Sequence, residues 1–308
     1  MPNNLNSKSA AVSGRLYFAF LMLLNLLLTT LHSNAQLFNQ DSLKLVSRDF
    51  SFTEGPAVNH KGDIFFTDQP NNKIWKYDVN GNLSLFTADA GRANGLYFDN
   101  RGKLIACADN HNELWSFSKS GTKKVLLSSF EGKKLNGPND LWIDTKGGIY
   151  FTDPYYQRDY WTRQKPEITA QKVYYLPAGK HAMVRVVADD VTKPNGIVGS
   201  ADGKYLFVAD IQRSKTFRYS IAANGSLSGQ KELIGHGSDG MTLDEKGNIY
   251  LTGNGVFIYS PAGELISHIE VKEPWTGNVC FGGKDRSTLF ITASTAVYTI
   301  RMKVRGVE

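Results

Sequence analysis

The segment Asp63-Ile-Phe-Phe-Thr-Asp68, which follows Lys61-Gly62, decides the fold because versions of it recur along the chain. Each copy is a polar turn containing glycine, followed by an apolar or alternating strand, and this pattern is typical of a β-hairpin. A further strand with aromatic or branched residues follows most copies, for example Ile74-Trp-Lys-Tyr77. The turns contain Gly62, Gly102, Gly147, Gly203 and Gly247, and a looser sixth copy begins at Gly282.

The spacing of these copies predicts an all-β protein, a six-bladed β-propeller. Successive turn glycines are 40 to 56 residues apart, and a repeat of about 40–50 residues with several strands per unit is typical of propeller blades. We expect an N-terminal strand within residues 43–51 to pair with the last copy and close the ring. A β-sandwich is the main alternative, but it gives no reason for a turn to recur at this period.

A polar residue lies eight positions before the turn of every copy. Equivalent positions in successive blades have the same depth along the central channel, so we expect these six side chains to converge at one mouth. Two carboxylates with several amide oxygens suit a hard cation such as calcium, whereas zinc prefers the nitrogen and sulfur ligands that these positions lack. The alternative is that they are ordinary turn residues that cap backbone groups. The six are Glu54, Asn94, Asn139, Asn195, Asp239 and Asn278.

Residues 1–35 are predicted to be a signal peptide that precedes the propeller domain, residues 36–308. They contain Lys8 and Arg15, no acidic residue, an apolar run and then Ser33-Asn34-Ala35, which is the order of a secretory signal. An uncleaved anchor is the alternative, but the apolar run is short for a span of about 20 residues. We therefore expect cleavage after Ala35, an exported protein that is periplasmic or secreted, and no stable membrane insertion afterwards.

The charge distribution argues against a nucleic-acid partner. Without Lys8 and Arg15 the formal net charge falls from +6 to +4, and the remaining basic residues are scattered rather than grouped in a stripe. A scattered surplus of this size is typical of a solvated surface. Cys107 and Cys280 are the only cysteines; both lie in apolar strand-like runs, so we expect buried thiols.

Four of the segments around the ring, together with Val279-Cys-Phe-Gly-Gly-Lys284, resemble motifs of the senescence marker protein, gluconolactonase and luciferin-regenerating enzyme family. The resemblance extends from about residue 52 to residue 300. It implies a six-bladed propeller with one catalytic divalent cation, and several members of the family hydrolyse sugar lactones. The segments are Thr53-Glu54-Gly-Pro56, Gly137-Pro-Asn139-Asp140, Pro194-Asn195-Gly196 and Ser238-Asp239-Gly-Met241.

The resemblance also implies roles for individual residues. Glu54, Asn195 and Asp239 match metal ligands, Asn139 matches an asparagine that binds metal or substrate, and Asp239 matches the proposed general base. Mammalian members have a substrate-contacting arginine at the position of Gly137. Arg92, close to Asn94, is our candidate for a similar charge.

The remaining candidates for substrate binding lie around the predicted mouth. They are Asn94, Arg92, Asn139, His111, Asn278 and Tyr155. Tyr155 belongs to the longest insertion, residues 154–171, whose aromatic side chains either stack on a sugar or pin the loop to the propeller. Both alternatives remain open from the sequence.

These observations predict a gluconolactonase-like lactonase that opens a sugar lactone to the aldonic acid. A divalent cation, Ca²⁺ with Mg²⁺, Mn²⁺ and Zn²⁺ as alternatives, polarises the carbonyl, and Asp239 takes a proton from the attacking water. The chain has no Gly-x-Ser-x-Gly segment for a serine nucleophile. Two other functions stay open: a related metal-dependent hydrolase of aryl esters or organophosphates, and a non-enzymatic binding propeller stabilised by calcium.

Overall fold

Four-stranded antiparallel sheets make up the part of the chain that the computed structural model describes, residues 36–179 and 183–307. The described residues form six such sheets, so the predicted six-bladed β-propeller is confirmed. Within blades 1 to 5 each strand pairs with the next in the chain, because polar turns separate the apolar strands. Residues 1–35, which include the predicted signal peptide, lie outside the described residues.

The first three blades are continuous in sequence. A short 3-10 helix, Gln40–Ser42, and the strand β1 (Lys44–Ser47) precede them. Blade 1 comprises β2 (Thr53–Val58), β3 (Ile64–Asp68), β4 (Lys73–Tyr77) and β5 (Leu83–Thr87). Blade 2 comprises β6 (Ala93–Phe98), β7 (Leu104–Ala108), β8 (Glu113–Phe117) and β9 (Lys123–Leu127). Blade 3 comprises β10 (Leu141–Ile143), β11 (Ile149–Asp153), β12 (Lys172–Leu176) and β13 (Arg185–Ala188).

The last blade takes its outermost strand from the other end of the chain. Blade 4 comprises β14 (Pro194–Gly199), β15 (Tyr205–Asp210), β16 (Lys215–Ile221) and β17 (Leu227–Ile234), and blade 5 comprises β18 (Met241–Leu243), β19 (Ile249–Gly253), β20 (Gly255–Tyr259) and β21 (Leu265–Ile269). Blade 6 comprises β22 (Asn278–Gly282), β23 (Thr288–Ala293), β24 (Ala296–Arg301) and β1. Lys44 pairs with Thr299 and Leu45 with Tyr298, so the predicted closure is confirmed.

The core lies between neighbouring blades rather than within them. The innermost strands β2, β6, β10, β14, β18 and β22 contact one another around the channel. Aromatic side chains fill the spaces further out. The ring of Phe66 in blade 1, for example, lies 5.3 Å from that of Phe290 in blade 6 and 5.2 Å from that of Phe50. Burying both faces of each sheet in this way needs a closed ring, which explains why the sequence carries a whole number of repeats.

The turns that revealed the repeat have the backbone conformation that requires glycine. Gly62, Gly102, Gly147, Gly203 and Gly247 all have φ between +67° and +92°, where a Cβ atom is disfavoured. Cys107 and Cys280 are both buried and form no disulfide, as expected. No helix in the described part of the chain is long and apolar enough to cross a membrane.

Candidate metal and active site

One mouth of the channel holds a cavity of about 230 Å³ that is lined by five of the six predicted ring residues. Glu54, Asn94 and Asn195 are each the second residue of an innermost strand, and Asn139 and Asp239 each lie two residues before one. Because the register repeats from blade to blade, these side chains arrive at the same depth. The five are Glu54, Asn94, Asn139, Asn195 and Asp239.

Aspartates at the ends of the second strands hold the backbone just ahead of three ring residues. The Asp68 carboxylate accepts hydrogen bonds from two backbone N–H groups before Glu54, Asp153 does so before Asn139, and Asp210 before Asn195. Each therefore fixes where its innermost strand begins. The donors are Ser51 and Phe52 at 3.0 and 3.2 Å, Asn136 and Gly137 at 2.9 and 2.8 Å, and Thr192 and Lys193 at 2.6 and 3.1 Å.

Threonines in the second strands link one blade to the next at the level of the ring. Thr67 Oγ1 donates a hydrogen bond to the carbonyl oxygen of Asn94 at 3.1 Å, and Thr152 Oγ1 donates to that of Asn195 at 2.8 Å. Thr252 Oγ1 does the same to the carbonyl of Gly277 at 2.7 Å. These buried bonds between blades fix the spacing of the ring residues.

Two carboxylates, Glu54 and Asp239, line the same cavity. Glu54 is 3% exposed, and burial, together with the negative charge of Asp239, raises its pKa well above the ordinary value. Burial likewise raises the pKa of Asp239 to about 6. Gly277 leaves room for Glu54, because a Cβ atom there would lie 2.9 Å from the Glu54 carboxyl carbon. Asp239 Oδ2 accepts a hydrogen bond from Trp275 Nε1 at 2.6 Å.

The donor set fits a hard divalent cation. Asn195 Oδ1 is buried and accepts no hydrogen bond, while its Nδ2 atom donates to the Tyr156 hydroxyl at 3.1 Å. An unpartnered buried carbonyl oxygen costs free energy unless a ligand satisfies it. Carboxylate and amide oxygens are the ligands that calcium prefers. Glu54, Asn139, Asn195 and Asp239 are the residues that would hold such an ion.

The family model described as "SMP-30/Gluconolactonase/LRE-like region" matches residues 52–295. This protein belongs to that family. The match covers every innermost strand of the ring and all six predicted ring residues, so the resemblance inferred from the sequence motifs is confirmed.

Individual members of the SMP-30/gluconolactonase family are similar over most of the chain. The gluconolactonase of Zymomonas mobilis is 27% identical over 86% of this chain and 82% of its own length. A solved structure of a candidate gluconolactonase has a TM-score of 0.81 and 29% identity, covering 88% of this chain and 96% of that one. The diisopropyl-fluorophosphatase of Loligo vulgaris is 25% identical over 74% of this chain and 77% of its own length.

Two of the predicted substrate-binding residues of this family member lie beside the cavity rather than in its lining. Asn278 occupies the sixth ring position, but its Nδ2 atom donates to Asp140 Oδ2 at 3.3 Å and its Oδ1 atom accepts the backbone N–H of Val279 at 2.8 Å. Arg92 donates from Nη1 to the carbonyl oxygen of Pro70 at 2.8 Å, and its guanidinium lies 4.3 Å from the Tyr160 ring centroid. Their substrate contacts remain predictions.

The other two, His111 and Tyr155, also lie outside the cavity lining. The exposed His111 ring lies 5.0 Å from the Trp115 ring. Tyr155 lies 5.8 Å from the Trp161 ring, and its backbone N–H donates to Gln171 Oε1 at 2.8 Å. The neighbouring residue Tyr156 lines the cavity instead.

The insertion between β11 and β12 is pinned to the propeller and also reaches the cavity. Trp161 is buried, and its Nε1 atom donates to the carbonyl oxygen of Asp109 at 2.9 Å. The Tyr160 hydroxyl donates to the Asp109 carboxylate, and Arg158 Nε lies 3.3 Å from Asp109 Oδ2. Trp161 thus pins the loop to the propeller, and Tyr156 and Arg158 line the cavity. Stacking of a loop aromatic on a sugar stays a prediction.

Arg158 gives the cavity a positive charge. Gly137, which stands at the position of the mammalian arginine, supplies none. A Cβ atom on Gly137 would lie 3.0 Å from the Trp161 ring and from Asp109 Oδ1, so a larger side chain at the position of the mammalian arginine would require these neighbours to shift. Arg158 was not singled out in the sequence, and neither was Trp275, which also lines the cavity. Arg158 lies in the insertion between β11 and β12 of blade 3, and Trp275 lies in the segment between blades 5 and 6. The repeat offers no register in either segment, and the only sequence signal was the unusual length and aromatic content of residues 154–171.

Proposed function

We propose that this protein is a lactonase that hydrolyses a sugar lactone to the corresponding aldonic acid with the help of one divalent cation, Ca²⁺. The observation that carries the proposal is the combination of two buried carboxylates with an unpartnered Asn195 Oδ1 in one cavity. A volume of about 230 Å³ is below the range of about 300–1,000 Å³ of pockets for drug-sized ligands, so a monosaccharide-sized substrate is the appropriate class.

The chain's own residues supply orientation and proton transfer. When bound, the cation supplies Lewis-acid polarisation of the lactone carbonyl. Trp275 Nε1 holds Oδ2 of Asp239 at 2.6 Å, which leaves Oδ1 to accept a proton from the attacking water. Glu54 balances the charge of the ion, and Asn139 and Asn195 supply neutral oxygens. The Tyr156 hydroxyl accepts a hydrogen bond from Asn195 Nδ2. This bond fixes the orientation of the Asn195 amide, so that Oδ1 faces away from Tyr156.

A second candidate is the hydrolysis of aryl esters or organophosphates. Its support is the similarity to a diisopropyl-fluorophosphatase over 77% of that protein's length. The same oxygen ligands and general base serve attack of water on phosphorus or on an acyl carbon. A non-enzymatic propeller stabilised by calcium is the third possibility, and it shares only the metal site.

The experiment that tests the proposal is metal removal and reconstitution on a substrate panel. Purified protein is treated with a chelator, its fold is monitored by circular dichroism, and hydrolysis of glucono-1,5-lactone, phenyl acetate and diisopropyl fluorophosphate is measured as Ca²⁺, Mg²⁺, Mn²⁺ or Zn²⁺ is restored. We expect folded, inactive apoprotein and recovery on the lactone with Ca²⁺. Recovery only on the ester or phosphofluoridate would select the second candidate, and loss of fold without turnover on any substrate would select the third.

We further propose that the protein is exported, with residues 1–35 as a cleaved signal. Support comes from the charged start, apolar middle and small residues before Gln36. N-terminal sequencing of protein recovered from the periplasm or medium should begin near Gln36. Soluble cytoplasmic protein that retains Met1 or Pro2 would contradict the proposal.

A further inference from the structure

Two cations flank one aromatic ring at the rim of the active-site cavity. The ring is that of Tyr156, which lines the cavity. The Arg158 guanidinium lies 5.5 Å from its centroid, and Lys193 Nζ lies 3.9 Å from it. Since both contact the same ring, two like charges are held close together. Both side chains are also partly buried, so water screens their repulsion only in part.

The nitrogens of these two cations are only partly engaged by protein groups. Arg158 faces Asp109 through Nε, and among the described residues no hydrogen bond is made by its Nη1 or Nη2 atom. Within the same part of the chain no carboxylate lies within 4.0 Å of Lys193 Nζ, although other lysines such as Lys76 and Lys215 pair with acidic residues at 2.9 and 2.5 Å. The forked end of a guanidinium and an ammonium are thus available to a ligand.

We infer that Arg158 and Lys193 form an anion subsite, and that the preferred substrate is a lactone that carries an anionic group, a carboxylate, phosphate or sulfonate, at the end remote from its carbonyl. The inference rests on the proposed lactonase function. With the carbonyl at Glu54 and Asp239, the far end of a small lactone points towards the Tyr156 side of the cavity. An anion there relieves the repulsion between the two cations, and Arg158 offers two parallel N–H donors to it.

The test compares a neutral lactone with anionic ones of the same ring. The ratio of kcat/KM for 6-phosphogluconolactone to that for glucono-1,5-lactone is measured at low ionic strength. We expect the ratio to exceed about tenfold in the wild type, since a hydrogen-bonded ion pair is worth that much or more, and to fall as salt is raised. Glucarolactone, with a carboxylate, distinguishes a general anion site from one selective for phosphate.

Substitutions assign the preference to the two residues. Lys193→Gln and Arg158→Gln should each lower the ratio by about tenfold, mainly through KM for the anionic substrate, and Arg158→Lys should retain more of it than Arg158→Gln. Arg213→Gln is the matched control: Arg213 lies in the turn after β15, contacts Asp210 at 4.0 Å, and its guanidinium lies 4.9 Å from the Phe217 ring rather than against Tyr156. Lys193→Gln leaves the contacts of Asp109 intact, so its result does not depend on anchoring of the loop.

A binding measurement separates this inference from the proposed function. Titration calorimetry with 6-phosphogluconate and with gluconate reports anion recognition without turnover. If the wild type hydrolyses no lactone yet prefers 6-phosphogluconate, and both glutamine variants lose that preference, the subsite stands and the lactonase proposal fails. A kcat/KM ratio near one in an active wild type, or a preference that both glutamine variants retain, would overturn the anion subsite.

Discussion

The two mouths of the channel carry the same residue types and use them in opposite ways. At the mouth away from the cavity, three aspartates in hairpin turns between the first two strands of blades 2, 3 and 5 cap their own turns. Asp99 Oδ1 accepts two backbone N–H groups at 2.9 and 2.8 Å, Asp144 Oδ1 two at 2.8 Å, and Asp244 Oδ1 two at 2.9 Å. The Tyr175 and Tyr250 hydroxyls satisfy the second oxygens of Asp144 and Asp244.

At the cavity mouth the polar side chains satisfy one another only in part, through the bonds from Trp275 to Asp239 and from Asn195 to Tyr156. Glu54 and Asp239 repel, and Asn195 Oδ1 has no donor. The comparison shows that an Asp or Asn beside a glycine is not diagnostic by itself; whether its oxygens are satisfied by its own turn distinguishes a structural position from a functional one. Stability is lower at the cavity mouth than it would be with satisfied groups, and a ligand restores it.

The largest effect is expected from exchanging one aspartate at each mouth. Asp239→Asn should lower kcat on an active lactone by about 10²-fold or more at saturating cation, because general base catalysis contributes 10²–10⁴-fold. Asp144→Asn should leave kcat within about twofold and reduce only the melting temperature, through a weakened turn. Metal occupancy is measured separately for each variant.

Recovery of the Asp239→Asn variant by excess metal would show that this residue is only a ligand. The metal site would then stand, and the base would have to be sought elsewhere in the cavity.

The next effect is a change in the stability of the apoprotein, which should have opposite signs when a carboxylate is replaced at each mouth. Glu54→Gln should raise the melting temperature of the apoprotein, since it removes a buried repulsion, and should weaken Ca²⁺ binding, since it removes one of two negative ligands. Asp244→Asn should lower the free energy of unfolding by about 1–3 kcal/mol, because a buried carboxylate that accepts four hydrogen bonds loses acceptors. Thermal melts and calorimetric titration with Ca²⁺ measure both.

Unchanged Ca²⁺ affinity in Glu54→Gln would contradict the assignment of the ring as a metal site. A lower melting temperature of the Glu54→Gln apoprotein would contradict the inference that Glu54 and Asp239 repel each other.

A smaller effect is expected from the indole that holds Asp239. Trp275→Phe keeps an aromatic ring at the mouth and removes the hydrogen bond to Oδ2. Kcat should fall by about tenfold, as expected for one hydrogen bond to a charged group, while Ca²⁺ affinity changes little. An equal loss of Ca²⁺ affinity and kcat would assign Trp275 to metal binding rather than to orientation of the base.

The smallest effect is the pH dependence of apoprotein stability. The pKa of Asp239 is raised to about 6 by burial, and that of Glu54 is raised by burial and by Asp239. The folded apoprotein therefore holds protons that the unfolded chain has released, so its stability falls as pH rises through about 6. Saturating Ca²⁺ should remove most of this dependence. Melting temperatures that are equal at pH 5 and pH 7.5 without Ca²⁺ would contradict it.

The sequence predicted the fold and the ring residues whose positions follow from the repeat, but it did not predict the cavity residues that lie on loops. Glu54, Asn94, Asn139, Asn195 and Asp239 were found because equivalent strand positions have one depth in a ring, and that geometry needs no knowledge of loops. Tyr155 was chosen where Tyr156 lines the cavity, because the course of residues 154–171 depends on tertiary contacts with Asp109. Arg158 lies in the insertion within blade 3, and Lys193 and Trp275 lie in segments between blades. Neither period nor register constrains the chain in these segments.

The closure of the ring determines when the site can exist at all. Because β1 pairs with β24, residues 44 and 299 must meet before blade 6 is complete. Contacts so distant in sequence form late and slowly in folding. Until the last strands have been synthesised, the ring cannot close and the five ring residues are not held facing one another. The site is thus an indicator that the whole chain has been made.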